Sequence, residues 1–208
     1  MSSTISRGRP RGFDVDEALD AALELFWRDG YGATSTRDLE GALGVSQSSL
    51  YHAFGSKARL LTAALDRYEA LIDRELVAPL ETRDDGLDAI TDFLEALHGW
   101  ITHDGRQGCM VINLMAEDGG SDTQITQRTR RYRQRVRTAI HQALRRAAAH
   151  GEIATEGLSE RTELLFGIVL GLNIAVRGGA DVAEIDGLMR GVHRQVQQWR
   201  TTSCGTST

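Results

Sequence analysis

Proline is nearly missing from this chain: it occurs twice in 208 residues, as Pro10 and Pro79. With so few breakers and no glycine-rich linker, long helices can run uninterrupted. Long apolar runs are missing too. No stretch reaches the roughly 20 residues needed to cross a bilayer, so no membrane partner is expected. No apolar segment stands behind the basic N-terminus, which argues against a secretory signal. Cysteine occurs only as Cys109 and Cys204, which gives neither a disulfide framework nor the spacing of a metal site. Catalytic signatures are missing as well: there is no Gly-x-Ser-x-Gly elbow, no phosphate loop and no two-histidine metal motif. The expectation is a cytoplasmic protein that is not an enzyme and needs no cofactor or metal.

What is present is ordinary in bulk and uneven in detail. The length suits one or two domains with a sizeable core. The formal net charge of −5, taken alone, disfavours a nucleic-acid partner. Its distribution says otherwise. "SRGRPRG" carries Arg7, Arg9 and Arg11 with no acid among them. Screening confines fields to about 10 Å at 0.1 M salt, so local charge decides phosphate binding.

Helical periodicity dominates, and no strand pattern competes with it. Asp14 is placed to cap a first helix, with Glu17 at the capping-box distance. Ala18, Leu19, Ala22, Leu25 and Phe26 form its apolar face, and Gly30 and Gly32 end it. Ser35 and Asp38 open a short second helix carrying Leu39, Ala42 and Leu43. Gly44 breaks it and Val45 plugs the corner. Ser46 then caps a third helix, 47–54. Gly55 ends this one, and Ser56 caps a fourth that is expected to stop near Pro79. Further helices are expected at about 86–103, 109–117, 122–150, 159–177 and 182–200. The fold class is all-α.

Two short helices joined through Gly44 have the spacing of a helix-turn-helix. The second would enter the major groove with Ser46, Gln47, Ser48 and Ser49 at its N-terminal end. Gln can pair bidentately with adenine, and Ser can donate or accept. On the turn alone, an ordinary helical hairpin explains the pattern equally well. The stretch "TSTRDLEGALGVSQSSLYHAFGSKARLL" goes further. Its Thr/Ser entry, Asp-Leu pair, Gly-Val-Ser, Leu-Tyr-His-x-Phe and Ser-Lys resemble the DNA-binding segment of the TetR family of transcriptional regulators. The preceding "ALELFWRDGYGAT" resembles that family's first helix. One departure is Glu40, where the family usually carries a small residue.

The resemblance implies a division into a basic arm (1–12), a helix-turn-helix domain (13–58), a helical regulatory and dimerisation domain (59–202) and a tail (203–208). It implies phosphate contacts from Tyr51, His52, Lys57 and Thr36; the alternative for Tyr51 is a core aromatic. In the arm, Arg9 and Arg11 flank Pro10 and would suit an A·T-rich minor groove, with a disordered basic tail as the alternative. The partners implied are a double-stranded DNA operator, a second copy of the chain and a small-molecule effector. Repression is the family's usual mode.

In the second half, "RTELLFGIVLGLNIAVRGG" is apolar nearly all round, with Gly167 and Gly171 allowing close approach. The resemblance makes it one half of a four-helix dimer interface. Val182, Ile185, Leu188, Met189, Val192, Val196 and Trp199 of the last helix would contribute to it. A purely intramolecular core is the alternative. The arginines from Arg128 to Arg137 read as a solvated face, with Arg131 or Arg135 able to reach a pocket. An implied ligand cavity would draw on Phe93, Leu97, Trp100, Cys109, Met110, Asn113, Leu114, Tyr132, Phe166 and Asn173. Asn113 and Asn173 would either orient a ligand or bond each other. Cys109 is either inert packing or a thiolate sensor activated by a helix N-terminus and Arg106. Two other readings stay open: a thiol enzyme using Cys109 with His98 or His103, and a helical carrier of apolar ligands.

Overall fold

The computed structural model describes residues 14–103, 107–118, 120 and 122–200. The expected arm with Arg9 and Arg11, the tail at 203–208 and Arg106 lie outside the described residues.

Helix α1 (Val15–Asp29) starts at Asp14, whose carboxylate accepts the N–H groups of Asp16 and Glu17. The reciprocal bond expected from Glu17 is not among those seen. Helix α2 (Thr36–Leu43) has the full box: Ser35 accepts from Asp38 N–H while Asp38 accepts from Ser35 N–H. Gly44 then turns left-handed at φ +65°, which costs glycine nothing and other residues about 1 kcal/mol or more. Helix α3 (Gln47–Phe54) follows at once, capped by Ser46. Ser56 caps α4 (Lys57–Ile72).

Pro79 does not end the fourth helix. A π-helical turn (Asp73–Val77) carries the chain into α5 (Ala78–Thr82), with Pro79 in its first turn. Proline has no N–H for an α-helical ladder. The ladder widens just before it, where Ala78 N–H bonds to the Asp73 carbonyl five residues back. Helices α6 (Leu87–Thr102), α7 (Met110–Asp118), α8 (Thr123–Ala149), α9 (Leu158–Arg177) and α10 (Val182–Gln198) build the rest. Among the described residues the only pairing of strand type is an isolated bridge between Ile153 and Arg200.

One continuous core runs through the molecule. Phe26, Leu39, Leu50 and Leu60 close the first three helices over the start of α4. Tyr68, Leu94, Ile101, Ile140 and Leu144 continue it into the second half. Helix α4 belongs to both parts. Its outer side is fastened to α8 by Arg128, which pairs with Asp66 at 2.6 Å and Glu69 at 2.7 Å. The Arg128 side chain is 13% exposed, so this residue is a tie between helices rather than part of a solvated face. Arg135 likewise pairs with Asp73 and Glu81, and Arg137 with Glu163.

Candidate nucleic-acid interface and regulatory cavity

Leu50 is fully buried and Phe54 half-buried, which fixes which side of α3 faces the core. Ser46, Gln47, Ser48, Ser49, Tyr51 and His52 are consequently exposed. The Ser46 hydroxyl lies 2.9 Å from that of Ser48 and 3.0 Å from that of Ser49. Tyr51 is 38% exposed, which overturns its reading as a core aromatic. Its phenol oxygen stands 3.5 Å from Thr36 Oγ1, so α2 and α3 share a polar surface. The hydroxyl of Thr36, and then the side chain of Gln47, hold the phenol somewhat below its ordinary pKa.

Glu40 proves to be part of this surface. Its carboxylate accepts the backbone N–H of Gln47 at 2.5 Å, filling one donor that the first turn of α3 leaves open. Only the departure from the family pattern marked this residue in the sequence. Lys57 is more constrained than expected. Its ammonium donates to the Tyr31 carbonyl at 2.6 Å and lies 4.3 Å from the centre of the Tyr31 ring. Partial burial lowers its pKa. Lys57 thus ties α4 to the turn after α1.

The second half contains a cavity of about 10 Å³, room for roughly one water. Of the residues proposed for a ligand cavity, Phe93, Leu97, Trp100, Cys109, Tyr132 and Asn173 line it. Ile72 at the end of α4 lines it too, as do Leu76 and Val77 of the π-helical turn, which is not legible in the sequence. Met110, Asn113, Leu114 and Phe166 do not line it. Met110 and Leu114 are packed into the core, and the Arg137 guanidinium covers the Phe166 ring at 4.6 Å. Asn113 turns away to donate to the Gln107 carbonyl at 2.6 Å. The two asparagines do not bond each other, because Asn173 donates to the Val169 carbonyl at 2.7 Å.

Cys109 departs from the activated thiol that the sequence allowed. It is 3% exposed, with Sγ 3.5 Å from the Tyr132 hydroxyl. Burial pushes the thiol above its ordinary pKa; tyrosine hydroxyls and the first N–H groups of α7 pull the other way and lose. His98 does not serve it either, since its Nε2 lies 2.7 Å from Asp186.

Between interface and cavity lies a polar junction. Arg177 at the end of α9 donates to the carbonyls of Trp27 and Arg28 at 3.1 and 3.0 Å, capping the C-terminus of α1. Glu117 of α7 accepts the Tyr31 N–H at 3.0 Å and pairs with Arg177 at 3.4 Å. Trp27 Nε1 donates to the Gly108 carbonyl at 2.9 Å, and its ring stacks on Trp100 with centres 6.2 Å apart. Gly108 has φ +76°, and a Cβ there would stand 2.6 Å from the Asn173 carbonyl oxygen. Only glycine fits between α1 and α9 at that point.

Comparison with known proteins agrees with this architecture. Residues 18–64 match the family described as "Bacterial regulatory proteins, tetR family", and residues 86–192 match the "Tetracyclin repressor-like, C-terminal domain". The HTH-type transcriptional repressor ComR of Escherichia coli K12 is 36% identical over 186 residues, covering 86% of this chain and 87% of ComR. The chain belongs to the TetR family of transcriptional regulators. A second E. coli K12 repressor, BdcR, is 35% identical over 108 residues, covering 50% of this chain and 54% of its own. Among solved structures, a cysteine variant of the TetR-family regulator CifR, complexed with 26-bp operator DNA, superposes with a TM-score of 0.77. It is 25% identical, and the match covers 92% of this chain and all of that one.

Membership in the TetR family removes the thiol-enzyme reading, and of its two candidate bases His98 is bonded to Asp186. The expected dimer surface needs correction in one respect. Ile185, Met189, Val192 and Val196 of α10 are buried within their own subunit. The exposed apolar residues are Leu164 and Ile174 on α9 and Val182 and Leu188 on α10, with open space at Gly167 and Gly171.

Proposed function

We propose that this TetR-family regulator is a homodimeric repressor that binds a palindromic operator and is released from it by a small molecule. The observation that carries the reading is the exposed polar end of α3, held in register by Leu50 beneath it and Glu40 beside it. A helix so presented can lay Gln47 and the serines against base edges, with Tyr51, His52 and Thr36 on phosphates. One such helix reads too few bases to be selective, so two half-sites are needed. The apolar residues left exposed on α9 and α10 support pairing through those helices. Arg9 and Arg11 of the arm would add minor-groove contacts. The DNA partner would place the protein in the cytoplasm. The junction of Arg177, Glu117, Trp27 and Gly108 supports coupling, because it bonds α1 and its exit turn to segments adjoining the cavity, while Trp27 stacks on the cavity residue Trp100.

Footprinting on selected operator DNA, with sedimentation of the free protein, tests this reading. A dimer protecting two related half-sites is expected. A monomer that binds DNA as a monomer would contradict it.

A further inference from the structure

The regulatory cavity has one chemical feature that narrows its ligand. Asn173 is 1% exposed and lines the cavity, and its Oδ1 has no hydrogen-bond partner within the protein. The amide cannot simply be turned over. Its nitrogen donates to the Val169 carbonyl, and a carbonyl can accept only from the NH2 side. The oxygen is therefore held as an acceptor in an otherwise mostly apolar space. A buried acceptor left unmatched is costly, by a factor of roughly 5 to 100 in any equilibrium that could satisfy it.

The cavity is nearly filled at 10 Å³, but it does not stand alone. An outer groove of about 210 Å³ runs between α4 and α8 and shares Ile72, Val77, Tyr132 and Val136 with the cavity wall. Tyr132 is thus common to the wall of the groove and the wall that carries Asn173. The inner end is also wired to the DNA-binding half, since the Asn173 backbone abuts Gly108, whose carbonyl holds Trp27.

We propose that the effector is a small, mainly apolar molecule bearing one hydrogen-bond donor, a hydroxyl or an N–H, which docks on Asn173 Oδ1 after entering past Tyr132. This rests on the ligand-released reading given above and names the chemical class that it leaves open. A donor seated at Asn173 would supply the partner that Oδ1 lacks. Its apolar body would displace Tyr132, and the strain would reach α1 through Gly108 and Trp27.

The test uses paired probes that differ only in the donor: phenol against toluene, and indole against indene. Affinity is read from the rise in melting temperature with probe concentration, and release from the anisotropy of labelled operator. Wild type is expected to bind the donor of each pair about tenfold more tightly and to release operator with it. Asn173→Leu, close in shape but without the acceptor, is expected to bind both members of a pair alike. Equal binding of each pair by wild type, binding of neither, or a preference that survives Asn173→Leu would overturn the proposal. The wild-type comparison decides even if the variant does not fold. Failure of the ligand-free protein to bind operator would instead overturn the function proposed above, so the two failures are distinguishable.

Discussion

The two ends of the molecule use polar groups in opposite ways. On α3, Ser46, Gln47, Ser48 and Ser49 stand in water, supported from below by Leu50 and bonded mainly among themselves. Around the cavity, Cys109, Tyr132 and Asn173 are enclosed among apolar side chains, and each has a fixed neighbour. A surface of the first kind can exchange water for bases and phosphates with little rearrangement. A site of the second kind has to move before it can accept anything. That difference suits a sensor whose binding energy must be converted into motion.

The comparison breaks first where the support is removed. Leu50→Ala would leave a void beneath α3 and is expected to cost about 2–5 kcal/mol of stability, read from chemical denaturation. Operator binding would be lost while the α6 to α10 bundle keeps its helical signal. Next comes the junction. Arg177→Ala removes the cap on α1 and one partner of Glu117, and is expected to cost about 1–2 kcal/mol. Its specific mark would be ligand binding that no longer alters operator affinity. Undiminished coupling would show that Arg177 only stabilises.

Glu40→Ala should have a smaller effect, about 1 kcal/mol in operator affinity, through loosening of the first turn of α3. Lys57→Ala should weaken all DNA sequences alike and leave the salt slope unchanged, since the ammonium is held by Tyr31. A slope smaller by about one would mean that Lys57 leaves Tyr31 for a phosphate in the complex.

The buried groups also predict a pH signature. Burial raises the pKa of Cys109, and raises those of Tyr68 and Tyr132 well above the ordinary value, so the folded state favours their neutral forms. Their contribution is complete below the ordinary thiol pKa of about 8.5, and it is lost progressively as pH rises above that. Denaturation midpoints should therefore be level from pH 6 to 8 and fall toward pH 10. Alkylation of Cys109 should stay slow at neutral pH, whereas rapid alkylation would restore the sensor reading.

How legible each region was follows from the distance over which it is built. Caps and turns are local, so Ser35 with Asp38, Gly44, Ser46 and Ser56 could be placed from spacing alone. The exposed side of α3 followed from Leu50 and Phe54. The cavity draws on residues some hundred positions apart, and periodicity alone could not separate Phe93 from Phe166, both apolar and inward-facing. The π-helical turn was hidden because Pro79 reads locally as a stop. Arg177 gave no signal at all: its partners, Trp27 and Arg28, are carbonyls of a distant helix. Glu40 was visible only as an oddity, and its partner is again a backbone group.

The central claim is that the exposed end of α3 reads sequence while the rest of the surface supplies affinity. Enrichment of operators from a random pool, run in parallel with wild type and Gln47→Ala, tests it most directly. The account predicts a loss of about 1–3 kcal/mol on the wild-type site and a relaxed preference at one base pair of each half-site. An unchanged selected sequence with Gln47→Ala would contradict it.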